Sequence, residues 1–271
     1  MAERCIVLGG WAFPPGILAR IVGPEAVFID VNNLMPSLVL DAKLRPDWES
    51  AVADIVNRHA ENQPFRIAGW STGAIMAYAA AKQLKPTSAL LLSATPSFCR
   101  RPGFPIGQKP GVLKAMREKL MVEPEEVLGK FYEQCGIIIP IASPLGPLST
   151  NGEGKKSKAI KENSYSKSLL IDGLHFLEQA SVLPVTPLPC PVLFVHGRED
   201  LIVPFKAGKR FAEELGADIE EFDGGHAFFW RNGDEAVNGR VREFGGNGYD
   251  RDYCSGGEIE LKSNASGGET I

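Results

Sequence analysis

Along the first third of the chain, short apolar runs alternate with stretches whose apolar residues recur every three or four positions. CIVLGG (5–10) and AVFIDV (26–31) are continuous apolar runs, the pattern of strands buried on both faces. RPDWESAVADIVNRHAE (45–61) carries Trp48, Val52, Ile55 and Val56 at helical spacing. A strand at 65–70, an alanine-rich helix at 72–84 and a strand at 89–94 (ALLLSA) continue the alternation. This βαβα order predicts an α/β fold: a mostly parallel sheet with helices on both faces.

The rhythm stops at Thr95-Pro96. From about 97 to 185 the pattern is helical and loop-like, with amphipathic candidates at 112–120, 124–134 and 166–180. Between them lie an apolar, proline-rich run, GIIIPIASPLGPL (136–148), and a polar stretch, STNGEGKKSKAIKENS (149–164), that reads as an exposed loop. Sheet patterning resumes with CPVLFVHG (190–197), a helix near 205–215 and a strand at 218–222. The expected organisation is therefore a core of residues 1–96 and 186–244 with an inserted helical lid at 97–185. The glycine-rich, polar stretch 245–271 has almost no apolar periodicity and reads as a disordered tail.

Composition narrows the function classes. Of 271 residues, 44% are hydrophobic and 23% charged, as in a soluble globule. A net charge of −4 argues against nucleic acid as a partner. Residues 136–148 are too few and too rich in proline to span a bilayer. The five cysteines are scattered, with no C-x-x-C pair and no spacing that suits a metal. Together with an N-terminus that reads as a strand rather than a signal peptide, they point to reduced thiols in a cytoplasm.

The chemistry is suggested by FRIAGWSTGAIMAYAAAK (65–82). Ser71 lies between Gly69 and Gly73 where a strand gives way to a helix. An ordinary turn or an N-cap would account for a serine there. A nucleophile elbow accounts for the glycines too, because its tight turn brings backbones together and exposes the hydroxyl above the sheet. The elbow reading requires an acid and then a histidine later in the chain. VLFVHGREDLIVPF (192–205) supplies Asp200 after a strand, with Glu199 as a rival. DGGHAFF (223–229) supplies His226 on the loop after the next strand. Of the other histidines, His59 falls on a helix surface, His175 on an inserted helix within reach of substrate or in a structural role, and His196 at a strand end, packed. In the resulting set, His226 takes the proton of Ser71 and Asp200 holds the imidazole tautomer. The backbone N–H of Thr72 and that of Trp11, in the Gly9-Gly10-Trp11 loop, are the candidate oxyanion donors.

Taken together these residues resemble the α/β-hydrolase superfamily, over roughly residues 4–244. Within it the chain looks most like the pimeloyl-[acyl-carrier protein] methyl ester esterases of biotin synthesis. The similarity lies in GGW (9–11), GWSTGA (69–74), GREDLIVP (197–204) and the segments 109–120 and 169–181, although Gly9 stands where that group has histidine. The resemblance implies Ser71, Asp200 and His226 as catalytic residues, Trp11 also at the substrate, and no metal or cofactor. It further implies an acyl carrier protein as partner. The expected product is a monomeric serine carboxylesterase acting through an acyl-enzyme. A general short-acyl carboxylesterase or thioesterase, a lyase like that of menaquinone synthesis, and a non-catalytic scaffold are the alternatives. The inserted region carries 12 Lys/Arg against 9 Asp/Glu, a basic face on an acidic body that would steer an acidic carrier.

Overall fold

The computed structural model describes residues 3–137, 165–230 and 235–245. The strands are β1 (Arg4–Leu8), β2 (Val27–Ile29), β3 (Val39–Leu40), β4 (Lys43–Leu44), β5 (Phe65–Trp70), β6 (Ser88–Leu92), β7 (Val192–Gly197) and β8 (Asp218–Phe222). The helices are α1 (Ala19–Val22), α2 (Val31–Leu38), α3 (Trp48–Ala60), α4 (Thr72–Leu84), α5 (Pro110–Val122), α6 (Pro124–Gln134), α7 (Lys167–Gln179), α8 (Phe205–Leu215) and α9 (Glu235–Gly245).

Six strands form one sheet in the order β2-β1-β5-β6-β7-β8, and every neighbouring pair is parallel. Alternate residues of each strand feed two separate cores, as the period of two requires. Ile6, Leu8, Ile67, Leu91 and Phe194 face the side covered by α2, α3, α4 and α8. Val7, Ala68, Trp70, Leu90, Leu92, Leu193 and Val195 face the side that takes up α1, α9 and residues of the inserted helices. The register aligns Leu8 with Gly69, Trp70 with Leu92 and Gly197 with Phe222, so the loops after β1, β5, β7 and β8 leave one edge of the sheet together. The order reverses between β1 and β5, which makes the crevice above those two strands the favoured place for a ligand.

The differences from the sequence reading have local causes. The run AVFIDV spans a boundary: β2 ends at Ile29, and Asp30 caps α2 by accepting Asn32 N–H at 2.9 Å. β1 likewise stops at Leu8, leaving Gly9 and Gly10 as loop. The antiparallel β3–β4 pair and α1 are short pieces with too few residues to show a period.

The inserted segment leaves after β6 and returns before β7. Its neck is closed: Val182 N–H donates to Pro96 O at 2.9 Å, and Ser97 bridges Ser181. Within it, α7 rests against α2 and the β3–β4 hairpin, where the Gln179 amide accepts from Leu44 N–H and donates to Ala42 O. The polar stretch 149–164, nearly all of the run 136–148, and the tail beyond Gly245 lie outside the described residues. No helix among the described residues is long and apolar enough to cross a membrane.

Candidate active site

Ser71 is where β5 meets α4, and its backbone has φ 57° and ψ −118°. A non-glycine residue in that region is strained. An N-cap residue normally has extended backbone and spends its side chain on the first helical N–H groups. Ser71 does neither, since its side chain makes no capping hydrogen bond. It is partly exposed, while Trp70 and Thr72 on either side are fully buried. The two glycines are dictated by backbone approach: a Cβ on Gly69 would stand 2.7 Å from Ala74 Cα, and one on Gly73 would meet the carbonyls of Leu8 and Gly9. Ser71 N–H is tied to Leu92 O at 3.0 Å, which fixes the turn to the neighbouring strand. Thr72 N–H stands at the positive end of the helix that begins at the turn, while Ala74 and Ile75 N–H both donate to Ser71 O.

The loops after β7 and β8 are sewn together. Arg198 N–H donates to Phe222 O, Glu199 N–H to Gly224 O, and the Glu199 carboxylate accepts Gly224 N–H at 2.7 Å. Glu199, the rival acid, is thus an exposed staple between the loops. Asp200 points the other way. Its Oδ2 lies 2.8 Å from His226 Nδ1, and its Oδ1 accepts Ile202 N–H at 2.9 Å and Val203 N–H at 2.8 Å. Burial pushes the Asp200 carboxyl up, but the charge of His226 and hydrogen bonds from His196 and His226 outweigh it and hold the group well below the usual carboxylate range.

His226 is 1% exposed, and its Nε2 has no hydrogen-bond partner among the described residues. Its backbone carbonyl accepts two buried donors at 3.0 Å, Trp70 Nε1 and Ser93 Oγ. Trp70 immediately precedes Ser71, so the elbow and the histidine loop are locked to each other through the indole. The rings of Trp70 and His226 lie 5.3 Å apart.

The third part is the loop after β1. Trp11 is buried, and its backbone N–H has no acceptor among the described residues. Ala12 holds a positive φ of 61°. Asn32, fully buried at the start of α2, keeps this shape: its Oδ1 accepts Ala12 N–H at 2.9 Å, and its Nδ2 donates toward Phe13 O, Gly10 O and Asp30. The inserted segment then clamps the loop. Tyr132 of α6 donates to Ala12 O at 2.9 Å, Trp11 Nε1 to Leu170 O of α7 at 3.0 Å, and Tyr165 to the Asp30 carboxylate at 2.8 Å. Burial pushes the Tyr132 phenol up to about 12, and burial with the nearby Asp30 charge raises Tyr165 as well.

Structure therefore adds Asp30, Asn32, Tyr132, Tyr165 and Ser93 to the residues that shape the site. The Asp-x-Asn after a strand is a capping signal that could have marked Asp30; the tyrosines carry no local signal. His59 is exposed, as expected of a helix surface. His175 sits on α7, where burial and then the Arg117 charge lower its pKa. Among the described residues no group of side chains could hold a metal ion.

A family model described as a thioesterase domain matches residues 48–128. A pimeloyl-[acyl-carrier protein] methyl ester esterase of Chromobacterium violaceum is 26% identical over 217 residues, covering 78% of this chain and 81% of the relative. A protein of the same name from Methylococcus capsulatus is 27% identical over 210 residues, covering 76% and 80%. Among solved structures, an esterase from Exiguobacterium antarcticum matches with a TM-score of 0.68 at 17% identity, over 90% of this chain and 92% of that one. A second, from a deep-sea metagenome and described as an alpha/beta hydrolase enzyme, matches with a TM-score of 0.62 at 14% identity over 93% of both chains. Agreement over nearly the whole length of each chain shows that this protein has the α/β-hydrolase fold.

Proposed function

We propose that the protein is a serine carboxylic ester hydrolase working through an acyl-enzyme on Ser71. The observation that carries this reading is a fixed imidazole, oriented by Asp200 and left with an unpartnered Nε2, tied through Trp70 to a strained serine that caps nothing. His226 Nε2 removes the Ser71 proton as Oγ attacks the ester carbonyl. The oxyanion that forms is stabilised by the N–H groups of Thr72 and Trp11. His226 returns the proton to the departing alcohol, then activates water to release the acid. Asp200 accepts the Nδ1–H throughout and offsets the imidazolium charge. Helices α5–α7 act as the lid, with Phe131 and Tyr132 packed on Phe13 beside the oxyanion loop.

The substrate we assign is the methyl ester of a dicarboxylic acyl chain on an acyl carrier protein, following the curated relatives. The matching family model supports one second reading, cleavage of the thioester that joins acyl chain and carrier. One experiment separates them: intact-protein mass spectrometry of a methyl-pimeloyl carrier protein incubated with wild type and with Ser71→Ala. Loss of one methylene from the loaded carrier, with wild type only, supports the methyl esterase. Loss of the whole acyl group supports the thioesterase. An unchanged carrier beside hydrolysis of simple aryl esters overturns both substrates and leaves the serine chemistry standing.

A further inference from the structure

His196, at the end of β7, takes no part in the steps above. It is fully buried, and its Nε2 lies 3.0 Å from Val203 O and 3.3 Å from Asp200 Oδ2. A backbone carbonyl and a carboxylate can only accept, so Nε2 carries the proton, which is hydrogen-bonded to Val203 O and lies beside the Asp200 carboxylate. Nδ1 has no partner among the described residues, which suits the unprotonated nitrogen of a neutral ring. The ring cannot swing away: a Cβ on Gly208 would already stand 2.6 Å from His196 Cε1, and Phe205 packs edge-on at 5.7 Å. Asp200 thus receives two backbone N–H groups on Oδ1 and the His226 imidazole on Oδ2, with the His196 imidazole 3.3 Å from the same oxygen.

We infer that His196 is a positioning residue for the acid–histidine pair: its Nε2–H holds Oδ2 of Asp200 in line with His226 and takes a share of the carboxylate charge. The inference rests on the serine-hydrolase reading. The elements packed around the pair offer few other titratable groups. Cys135, just past α6, has its thiol pushed up by burial and by the Asp200 charge. Glu199 and Asp223 stand on the exposed rims of the two loops, while α8 presents Gly208 and Phe205 and the end of β6 presents Ser93.

The charge-sharing has a direction. His226 must be neutral to take the serine proton, so the acid limb of kcat/KM reports its titration in the free enzyme. Without the N–H of His196, Oδ2 is more negative toward His226, the imidazolium is favoured, and the acid limb moves to higher pH. We expect His196→Phe to raise that midpoint by about half to one unit and to lower kcat about tenfold. His196→Gln, which keeps an N–H near the same place, should stay near wild type in both. Tautomer measurement by ¹⁵N NMR on the wild-type protein needs no variant and no substrate: the expected signature is Nε2–H for His196 across the active pH range. A wild-type midpoint in His196→Phe, an equal shift in His196→Gln, or an Nδ1–H or doubly protonated His196 would each overturn the inference. Fluorophosphonate labelling that survives Ser71→Ala would instead overturn the hydrolase reading, so the two failures are distinguishable.

Discussion

The two sides of the candidate site are built differently. On one side, Asp200 and His226 are 26 residues apart and stand on adjacent loops of adjacent strands, β7 and β8. Nearly everything that aligns them comes from the sheet and those two loops. On the other side, the Trp11 loop is held by partners 120, 159 and 135 residues away along the chain: Tyr132 on Ala12, Leu170 on Trp11, and Tyr165 on Asp30. Its shape is therefore set jointly by Asn32 and by the inserted segment. Two hydrogen bonds cross over: Ala227 N–H donates to Cys135 O just past α6, and Gln108 Nε2 donates to Ile202 O in the acid loop. On the proposed reading, the difference teaches that proton transfer is secured by the core, whereas oxyanion stabilisation depends on how the insertion is seated.

The core side is the place for the largest effect. Asp200→Asn should leave the fold intact but offer His226 the wrong hydrogen-bond partner, lowering kcat by about 10⁴-fold. KM should change little, and steady-state kinetics on an aryl ester would show it. The same variant reports on acid stability. Because the native Asp200 carboxyl is held below its unfolded value, it contributes stability that is present above the unfolded pKa of about 4 and is lost as pH falls through the folded one. Wild type should therefore lose more melting temperature than Asp200→Asn on descending below pH of about 4. Parallel melting curves for the two proteins would contradict the native-state shift.

Next in size is the oxyanion side. Asn32→Ala strands Ala12 N–H and the Phe13 carbonyl at a buried side chain, and leaves Gly10 O with the Phe13 N–H alone. Leaving a buried group unpaired costs about 1–3 kcal/mol, so the variant should melt lower and relax the positive φ at Ala12. With one oxyanion donor displaced, kcat should fall about 10²-fold while fluorophosphonate still labels Ser71. Loss of labelling in step with activity would mean that Asn32 supports the nucleophile rather than the oxyanion loop.

This asymmetry also explains what could be read in the sequence. β5, α4, α6, α8 and β8 follow from local periodicity, and the glycines around Ser71 from a turn that admits no Cβ. Asp200 and His226 follow from chain order and from loops that succeed strands. In the sequence, the apolar Leu201-Ile202-Val203-Pro204 that follows Asp200 favours it over Glu199, and the N–H groups of Ile202 and Val203 are what turn its carboxylate inward. Asn32, Tyr132 and Tyr165 were illegible for a different reason. A buried amide that satisfies a distant loop, or a phenol that reaches back from an inserted helix, leaves no period and no spacing in the chain. His196 was legible as a packed strand-end residue, but its contact with Asp200 depends on the loop curling back over β7.

The smallest expected effect is also the finest test of the comparison. Tyr132→Phe removes one hydroxyl, the donor to Ala12 O, and keeps the ring that packs on Phe13 at 4.8 Å. A single buried hydrogen bond contributes about 1 kcal/mol net, so stability should drop by about that amount and kcat by about fivefold. KM for a small aryl ester should hold, because the ring that packs on Phe13 is kept. The acid limb of kcat/KM should not move, since Tyr132 does not touch Asp200 or His226. If the limb shifts as it does for His196→Phe, the insertion reaches the acid–histidine side through Cys135 and Ala227, and the two halves of the site are one mechanical unit. If only kcat falls, the inserted helices tune the oxyanion loop alone, and substrate-driven movement of α6 would change turnover without altering the proton-transfer pair.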